Sequence, residues 1–291
     1  MTENPVNPFL EFGKKTYVMG VINVTPDSFS GDGLLSQQDT VKAALEQAQR
    51  FVEAGADILD IGGESTRPGA SEVNLQEEIE RVLPVIDSIK DAGINVILSV
   101  DTYKAQVAET TLKHGAHWIN DVWGLRADTE MAAVAARYQV PLILMHNRSK
   151  PTHADIQARL GGRYVGVAYQ NLLQDIMQEL MESVAIARTA GVEDRQIILD
   201  PGIGFGKTVE QNLTLVNRLD EIKELGFPVL LGPSRKSFIG YTLNLPPEER
   251  VEGTAAVCAI GIARGADIIR VHDVEVMSRI AKMADAVVRS H

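Results

Sequence analysis

Short apolar runs recur along the chain, and each ends in a group of polar or charged side chains. Residues 18–22 form one such run, which gives way to Asn23 and a turn rich in Thr, Asp and Ser. The mainly apolar residues 58–61 likewise lead into Glu64 and further polar residues. Six more junctions of this kind fall within 98–104, 118–124, 142–148, 197–208, 229–240 and 268–274. The pattern predicts eight strands, each followed by a polar loop.

Segments with helical periodicity separate the apolar runs. Residues 39–54 carry apolar side chains at the spacing of an amphipathic helix, namely Val41, Ala44, Leu45, Ala48, Phe51 and Val52. Similar spacing predicts helices over 75–92, 105–114, 129–138, 166–190, 209–225, 248–264 and 274–288. Several of these segments end at glycine, which favours a left-handed C-terminal cap. The polar stretch 147–163 is predicted to be a loop.

The alternation of strand and helix indicates the fold. Strands that are apolar throughout are typical of a parallel sheet covered on both faces. Eight strand–helix units in 291 residues predict an α/β protein with a (β/α)8 TIM barrel, and 1–291 is expected to be a single domain. A doubly wound open sheet is the alternative architecture. In both folds, ligands bind at the carboxyl ends of the strands.

Composition and charge narrow the range of partners. The chain is 45% hydrophobic and 23% charged, which is ordinary for a globular protein. A formal net charge of −11 argues against nucleic acid, because nucleic acids are bound by basic surfaces. No apolar stretch approaches about 20 residues and the N-terminus lacks signal-peptide features, so we expect a cytoplasmic protein with no membrane contact. The single cysteine, Cys258, cannot form an internal disulfide and is expected in the core.

In a barrel, polar side chains far apart in sequence would converge on one rim. The candidates at the strand ends are Asn23, Asp101, Asn120, Asp200, Lys236, Arg270 and His272. Carboxylates beside an asparagine amide suit a flat heterocycle with amino and amide edges. Arg270 and His272 share one side of a strand and suit phosphate oxygens, while Asn23 offers a neutral oxygen to Mg²⁺. Each residue alone is explained as well by a cap, a turn or an ion pair, so only their joint occurrence predicts a site.

Seven segments carry a further signal through their order along the chain. They read GVINVTPDSFS, GGESTRPG, SVDTYKA, IND, LDPGIGFGKT, GPSRKSFIG and RVHDV. Together they resemble the dihydropteroate synthase family of folate biosynthesis, over essentially the whole chain. The resemblance implies a TIM-barrel transferase that joins 6-hydroxymethyl-7,8-dihydropterin diphosphate to 4-aminobenzoate and releases pyrophosphate, with Mg²⁺ as cofactor. It also implies a homodimer formed through the last helices.

The resemblance further implies a role for each candidate residue. The pterin ligands would be Asp101, Asn120, Asp200 and Lys236. The diphosphate contacts would be Asn23, Thr66, Arg270 and His272, with Asn23 as the magnesium ligand. The aminobenzoate pocket would contain Thr66, Arg67, Pro68, Phe205, Lys236 and Ser237. Catalytic roles fall to Arg67, Lys236, Arg270 and His272, and the loops 25–33 and 63–69 are expected to close over the bound substrates.

Two rival functions would use a similar pocket. A corrinoid-dependent methyltransferase relative would bind a pterin but would not need the diphosphate cluster of Asn23, Arg270 and His272. A pterin-binding protein without catalysis is the non-enzyme alternative.

Because the nitrogen of 4-aminobenzoate is a poor nucleophile, the expected reaction begins with departure of pyrophosphate and needs no covalent enzyme intermediate.

Overall fold

The computed structural model describes residues 6–25, 37–65, 72–157, 159–165 and 167–290. Ten strands lie in this part of the chain: β1 (Tyr17–Asn23), β2 (Ile58–Gly62), β3 (Ile97–Asp101), β4 (Trp118–Asp121), β5 (Leu142–Met145), β6 (Ala154–Gln157), β7 (Gly161–Tyr164), β8 (Ile197–Asp200), β9 (Leu230–Leu231) and β10 (Ile268–Val271). All except β6 and β7 belong to one parallel sheet. The predicted eight-stranded parallel architecture is therefore confirmed.

The sheet closes into a barrel. Its strand order is β8-β5-β4-β3-β2-β1-β10-β9, which leaves β8 and β9 at the two ends. A parallel bridge between Leu199 and Val229 joins these ends, and the amide of Leu199 donates to the carbonyl of Pro228 at 2.9 Å. This closure favours the TIM barrel over the open doubly wound sheet.

Helices follow the strands around the outside of the barrel. Those in the described residues are α1 (Gln37–Glu53), α2 (Leu75–Asp91), α3 (Ala105–Lys113), α4 (Met131–Tyr138), α5 (Leu172–Thr189), α6 (Val209–Asn217), α7 (Leu219–Lys223), α8 (Ser237–Leu243), α9 (Val251–Ala263) and α10 (Val274–Val288). No helix in the described ranges is long and apolar enough to cross a bilayer.

Four details differ from the prediction. Helix α5 begins at Leu172 and not at 166, because the side chain of Asn171 caps it by accepting from the amide of Gln174. The predicted helix 209–225 is divided into α6 and α7 at Arg218, whose backbone leaves the helical region. The predicted loop 147–163 contains most of the antiparallel hairpin β6–β7. Helix α8 was not predicted, since its seven residues are too short to show a period.

Two apolar cores lie on the two sides of the barrel wall. Side chains that point outward from the strands pack against the helices. Those that point inward fill the barrel: Tyr17, Met19, Ile58, Ile97, Trp118, Ile143, Ile198, Leu230 and Ile268. Residues near the N-terminus cover this inner core from below, where the indole Nε1 of Trp118 donates to the carbonyl of Pro8 at 2.7 Å. Cys258 is buried in the outer core, as predicted.

Candidate active site

The strand alternation that fills the barrel also aims polar side chains into its mouth. On β2, Ile58 points inward and Leu59 outward, so Asp60 points inward again, one layer above the apolar core. The same alternation directs Asn120 of β4 and Arg270 of β10 inward. The upper layer of the barrel is therefore polar, while the layer beneath it is apolar.

An arginine joins two carboxylates in this upper layer. Nε of Arg270 donates to Oδ2 of Asp60 at 2.6 Å, and Nη2 donates to Oδ2 of Asp101 at 2.6 Å. Nδ2 of Asn120 also donates to Oδ2 of Asp60, at 2.9 Å. Asp101 and Asn120 are register partners on adjacent strands. Four side chains from four strands thus form one hydrogen-bonded cluster, which we call the Asp60 cluster.

Asp60 is the site residue that the sequence reasoning missed. It lies inside an otherwise apolar run, and its side chain is completely buried. A carboxylate in the middle of a buried parallel strand was the available signal, because such a charge is stable only when paired. Its Oδ1 and the hydroxyl of its register partner Ser99 are buried without a hydrogen-bond partner among the described residues. At the floor of the mouth, one carboxylate oxygen and one hydroxyl therefore remain able to form further hydrogen bonds.

Burial shifts the ionisation of the mouth carboxyls. It raises the pKa of Asp101 to about 7, with the charges of Asp60 and Glu78 adding to the rise and that of Arg270 opposing it. Burial also raises the pKa of Asp200, which Lys236 and the amide of Gly202 oppose; that amide donates to Oδ1 of Asp200 at 2.7 Å. These carboxylates are available to bind positively polarised N–H groups of a ligand.

Lys236 faces Asp200 from the loop after β9. Its Nζ donates to the carbonyl of Ile203 and lies 4.4 Å from the ring centroid of Phe205. Burial lowers its pKa to about 8, and the charge of Asp200 opposes that fall. Gly204 has a φ of +81°, and a Cβ there would lie 2.6 Å from Cδ of Lys236. Glycine is therefore required for the close approach of lysine and loop.

His272 and Ser237 lie on loops beside this group. Nδ1 of His272 is 3.0 Å from Oγ of Ser234, and the same hydroxyl accepts from the amide of His272 at 3.1 Å. Ser237 is the first residue of α8, directly after Lys236. Arg235 forms an ion pair with Asp273, which ties the loop after β9 to the loop after β10. The predicted β9 and β10 residues are thus held next to one another.

Four predicted residues remain: Asn23, Thr66, Arg67 and Pro68. Asn23 ends β1, half-buried, with Gly62 as its register partner. Thr66, Arg67 and Pro68 lie outside the described residues, as do most of the two loops expected to close over the substrates. The strand-borne residues Asp101, Asn120 and Arg270 are in contact in one cluster with Asp60.

A closed parallel barrel with carboxylates, an amide and half-buried cations at its mouth defines a TIM-barrel enzyme with a site for a small polar molecule. Residues 19–272 match the family of pterin-binding enzymes, and the chain belongs to that family. The prediction from the seven sequence segments is confirmed.

Named relatives place the chain more closely within the family. A dihydropteroate synthase of Clostridium beijerinckii is 51% identical over 95% of this chain and 96% of its own length. The crystal structure of the Clostridium difficile dihydropteroate synthase in the presence of pteroic acid has a TM-score of 0.87 at 45% identity, covering 96% of this chain and 99% of that chain. The Xanthomonas albilineans dihydropteroate synthase with 4-aminobenzoic acid gives 0.83 at 40% identity, covering 94% and 93%. The chain therefore falls in the dihydropteroate synthase branch, whose members are transferases of folate synthesis.

Proposed function

We propose that this protein joins the methylene carbon of 6-hydroxymethyl-7,8-dihydropterin diphosphate to the nitrogen of 4-aminobenzoate, giving 7,8-dihydropteroate and pyrophosphate. The observation that carries the proposal is the Asp60 cluster, where two carboxylates, an amide and an arginine meet at the barrel mouth. Dihydropteroate synthase structures determined in the presence of pteroic acid and with 4-aminobenzoic acid support the two halves of the product.

The pterin ring suits the strand-borne residues. Its amino and amide edges present N–H donors, and Asp101 of β3 and Asp200 of β8 provide carboxylate acceptors from strands that β4 and β5 separate. Asn120 is buried and supplies an amide oxygen and an amide N–H together. Lys236 keeps its predicted position against the ring, and its ammonium, 4.4 Å from the ring centroid of Phe205, already packs on an aromatic face.

The reaction begins with loss of the leaving group. The bond between the methylene carbon and the diphosphate oxygen breaks, and its electron pair leaves with pyrophosphate. The electron-rich dihydropterin carries the resulting positive charge, which the carboxylates of the mouth stabilise. The aminobenzoate nitrogen then forms the new C–N bond and loses one proton to solvent or to pyrophosphate. No enzyme nucleophile takes part.

Cationic side chains at the rim fit the leaving group. Arg270 is charged at any relevant pH, because Asp60 and Asp101 raise its pKa further. His272 lies two residues after Arg270, at the start of the loop that follows β10. Both would donate to diphosphate oxygens as their negative charge grows. Thr66, Arg67 and Pro68, outside the described residues, keep their predicted roles in diphosphate and aminobenzoate contact and in closure.

Magnesium fits the site as a partner of the substrate. No group of three His, Cys, Asp or Glu residues in the described ranges could cage a metal ion. Asn23 contributes one neutral oxygen at the end of β1. This suits Mg²⁺, which keeps several waters and takes other ligands from substrate phosphates. When bound with the diphosphate, the ion would neutralise charge on the leaving group.

We also propose that the protein is a homodimer formed through α9 and α10. These helices pack on each other and expose Ile260, Met283 and Val287 at 48%, 63% and 63%. Helix α9 is apolar on nearly every side, although only one side faces the barrel core. An apolar face of this kind is typical of a surface covered by a second subunit. The cytoplasmic location stays a prediction from the sequence.

Pyrophosphate release by the purified protein tests the proposed reaction. The complete mixture contains Mg²⁺, the dihydropterin diphosphate and 4-aminobenzoate, and each component is left out in turn. We expect release only in the complete mixture, with dihydropteroate formed in equal amount. Tight binding of the pterin diphosphate without release would indicate a pterin-binding protein, and absence of binding would contradict the site. Methyl transfer from a methylated folate to a corrinoid would support the methyltransferase alternative.

A further inference from the structure

Lys207 is a buried cation that the proposed reaction does not use. Its side chain is 2% exposed, and its ammonium has three acceptors. Nζ donates to the carbonyl of Gly202 at 2.9 Å and to that of Phe205 at 3.0 Å, and lies 3.0 Å from Nδ1 of His146. All three N–H groups of the ammonium are therefore matched, although no carboxylate contacts it in the described residues.

His146 connects this ammonium to a carboxylate. Because the ammonium can only donate, Nδ1 of His146 accepts and the ring proton lies on Nε2. Nε2 is 3.2 Å from Oε2 of Glu179, a close contact outside good hydrogen-bond geometry. Burial lowers the pKa of His146 to about 3, so the imidazole is neutral. The neutral imidazole of His146 thus lies between the ammonium of Lys207 and the carboxylate of Glu179. Arg126 and Arg148 both donate to that carboxylate.

The loop 202–207 wraps around the ammonium. Gly202 has a φ of +70°, and a Cβ there would lie 1.8 Å from the carbonyl oxygen of His146, so only glycine allows the turn. The outer side of the loop presents two groups to the site, the carbonyl of Ile203 and the ring of Phe205. Both contact Lys236. The loop thus contacts Lys207 through the carbonyls of Gly202 and Phe205, and Lys236 through the carbonyl of Ile203 and the ring of Phe205.

We propose that Lys207 is a positioning residue that shapes the aminobenzoate half of the site by holding the loop 202–207 from within. This inference rests on the proposed function for the identity of the substrate. Of the predicted pterin ligands, Asp101 and Asn120 do not contact this loop, whereas Asp200 and Lys236 each make one hydrogen bond to it, at the amide of Gly202 and the carbonyl of Ile203. Phe205, predicted only for the aminobenzoate pocket, belongs to the loop itself. Loss of the ammonium therefore weakens aminobenzoate binding more than pterin binding. Burial lowers the pKa of Lys207 to about 7, with the charge of Asp200 opposing that fall, so the three acceptors offset only part of the cost of burying the ammonium.

Four variants test the proposal. Lys207→Met removes the donors while keeping most of the volume. His146→Leu removes the acceptor, whereas His146→Asn keeps an oxygen near the position of Nδ1. Lys113→Met is the control, because this lysine is 59% exposed on α3. Steady-state kinetics give KM for each substrate, and amide hydrogen exchange of 202–207 reports the loop independently of activity.

The proposal requires unequal effects on the two substrates. Lys207→Met and His146→Leu should raise KM for 4-aminobenzoate about tenfold or more, with KM for the pterin diphosphate changed less than about threefold. His146→Asn and Lys113→Met should leave both within about threefold of the unaltered protein. Exchange in 202–207 should accelerate about tenfold in the first two variants only.

Equal changes in both KM values, or unchanged exchange in 202–207, would overturn the proposal. If Lys207→Met fails to fold, the comparison of His146→Leu with His146→Asn decides the question. If the unaltered protein forms no dihydropteroate, the proposed function fails. The exchange measurement then still shows whether Lys207 holds the loop.

Discussion

Nε of Arg270 donates to the fully buried Oδ2 of Asp60 at 2.6 Å, across a sequence separation of 210 residues. The contact joins β10 to β2 across the intervening β1. It gives Asp60 the counter-charge that a carboxylate needs inside a barrel. Arg270 is thereby fixed between two carboxylates and not left as a surface cation.

Asp60→Asn should reduce both stability and activity. The change breaks an ion pair whose carboxylate is fully buried and leaves the half-buried Arg270 short of one partner, so we expect the free energy of unfolding to fall by about 3 kcal/mol. Urea denaturation measures it, and kcat/KM for the pterin diphosphate should fall with it. Asp57→Asn is the matched control, because Asp57 pairs with Lys15 at the opposite end of the barrel. A loss of stability there without a loss of pterin binding is expected.

Pterin binding should strengthen as pH rises through about 7. Asp101 has a raised pKa of about 7, so it becomes an ionised acceptor only above that pH. A pterin without a diphosphate avoids titration of the ligand's phosphates, and calorimetry between pH 6 and 8 gives Kd. Asp60→Asn removes a charge that raises this pKa, so the midpoint should move to lower pH. A pH-independent Kd in the unaltered protein would contradict the role of Asp101.

Gly204→Ala should lower activity more than its backbone strain explains. Its φ of +81° costs any side chain about 1–2 kcal/mol, and the new Cβ would also displace Lys236. Gly226→Ala is the control: its φ is +88°, and a Cβ there meets nothing within 4 Å. Thermal denaturation should show the melting temperature lowered by a similar amount in both variants. Only Gly204→Ala should lose about tenfold or more in kcat/KM.

Asn23→Ala should weaken the response to magnesium. If Asn23 supplies one of few protein oxygens to the ion, its loss should raise the half-saturating Mg²⁺ concentration about tenfold. Asn74→Ala removes an asparagine that caps α2 by accepting from the amide of Glu77 and also donates to the carboxylate of Glu77, and it should leave the magnesium dependence unchanged. Titration of activity with Mg²⁺ compares them. Equal curves for the unaltered protein and Asn23→Ala would remove Asn23 from the metal site.

Ile260→Glu and Met283→Glu should separate the proposed dimer. Each places a carboxylate on the apolar face of α9 and α10, where a partner subunit would have to bury it. Sedimentation velocity should show a monomer for these variants. Leu213→Glu, on α6 and 42% exposed, should remain dimeric. A monomer in the unaltered protein would refute the dimer proposal.

The fold could be predicted because one repeating pattern specifies it. Each apolar run is a strand buried on both faces, and eight of them in alternation with helices leave few architectures. The hairpin β6–β7 escaped prediction because its residues are polar and half-exposed, with no clear period. The prediction places the start of α5 at 166 because periodicity alone does not reveal an N-cap. The helix begins at Leu172, directly after the capping residue Asn171.

The site was predictable where a polar residue follows an apolar run, as with Asp101 and Asp200. Asp60 escaped because it lies within a run, and its role depends on Arg270 from the far end of the chain. Lys207 and His146 escaped for a similar reason, since their contact joins two loops 61 residues apart. Sequence position shows which side chains reach the mouth, and only the closed barrel shows which of them meet.

The single bridge between Leu199 and Val229 gives the barrel a seam. Asp200 stands on one side of it, and Lys236 follows β9 on the other, a strand of only two residues. A ligand bound between these two side chains would bridge the seam from inside the mouth. Because such a ligand binds only the folded barrel, occupancy of the mouth would raise the free energy of unfolding of the whole fold.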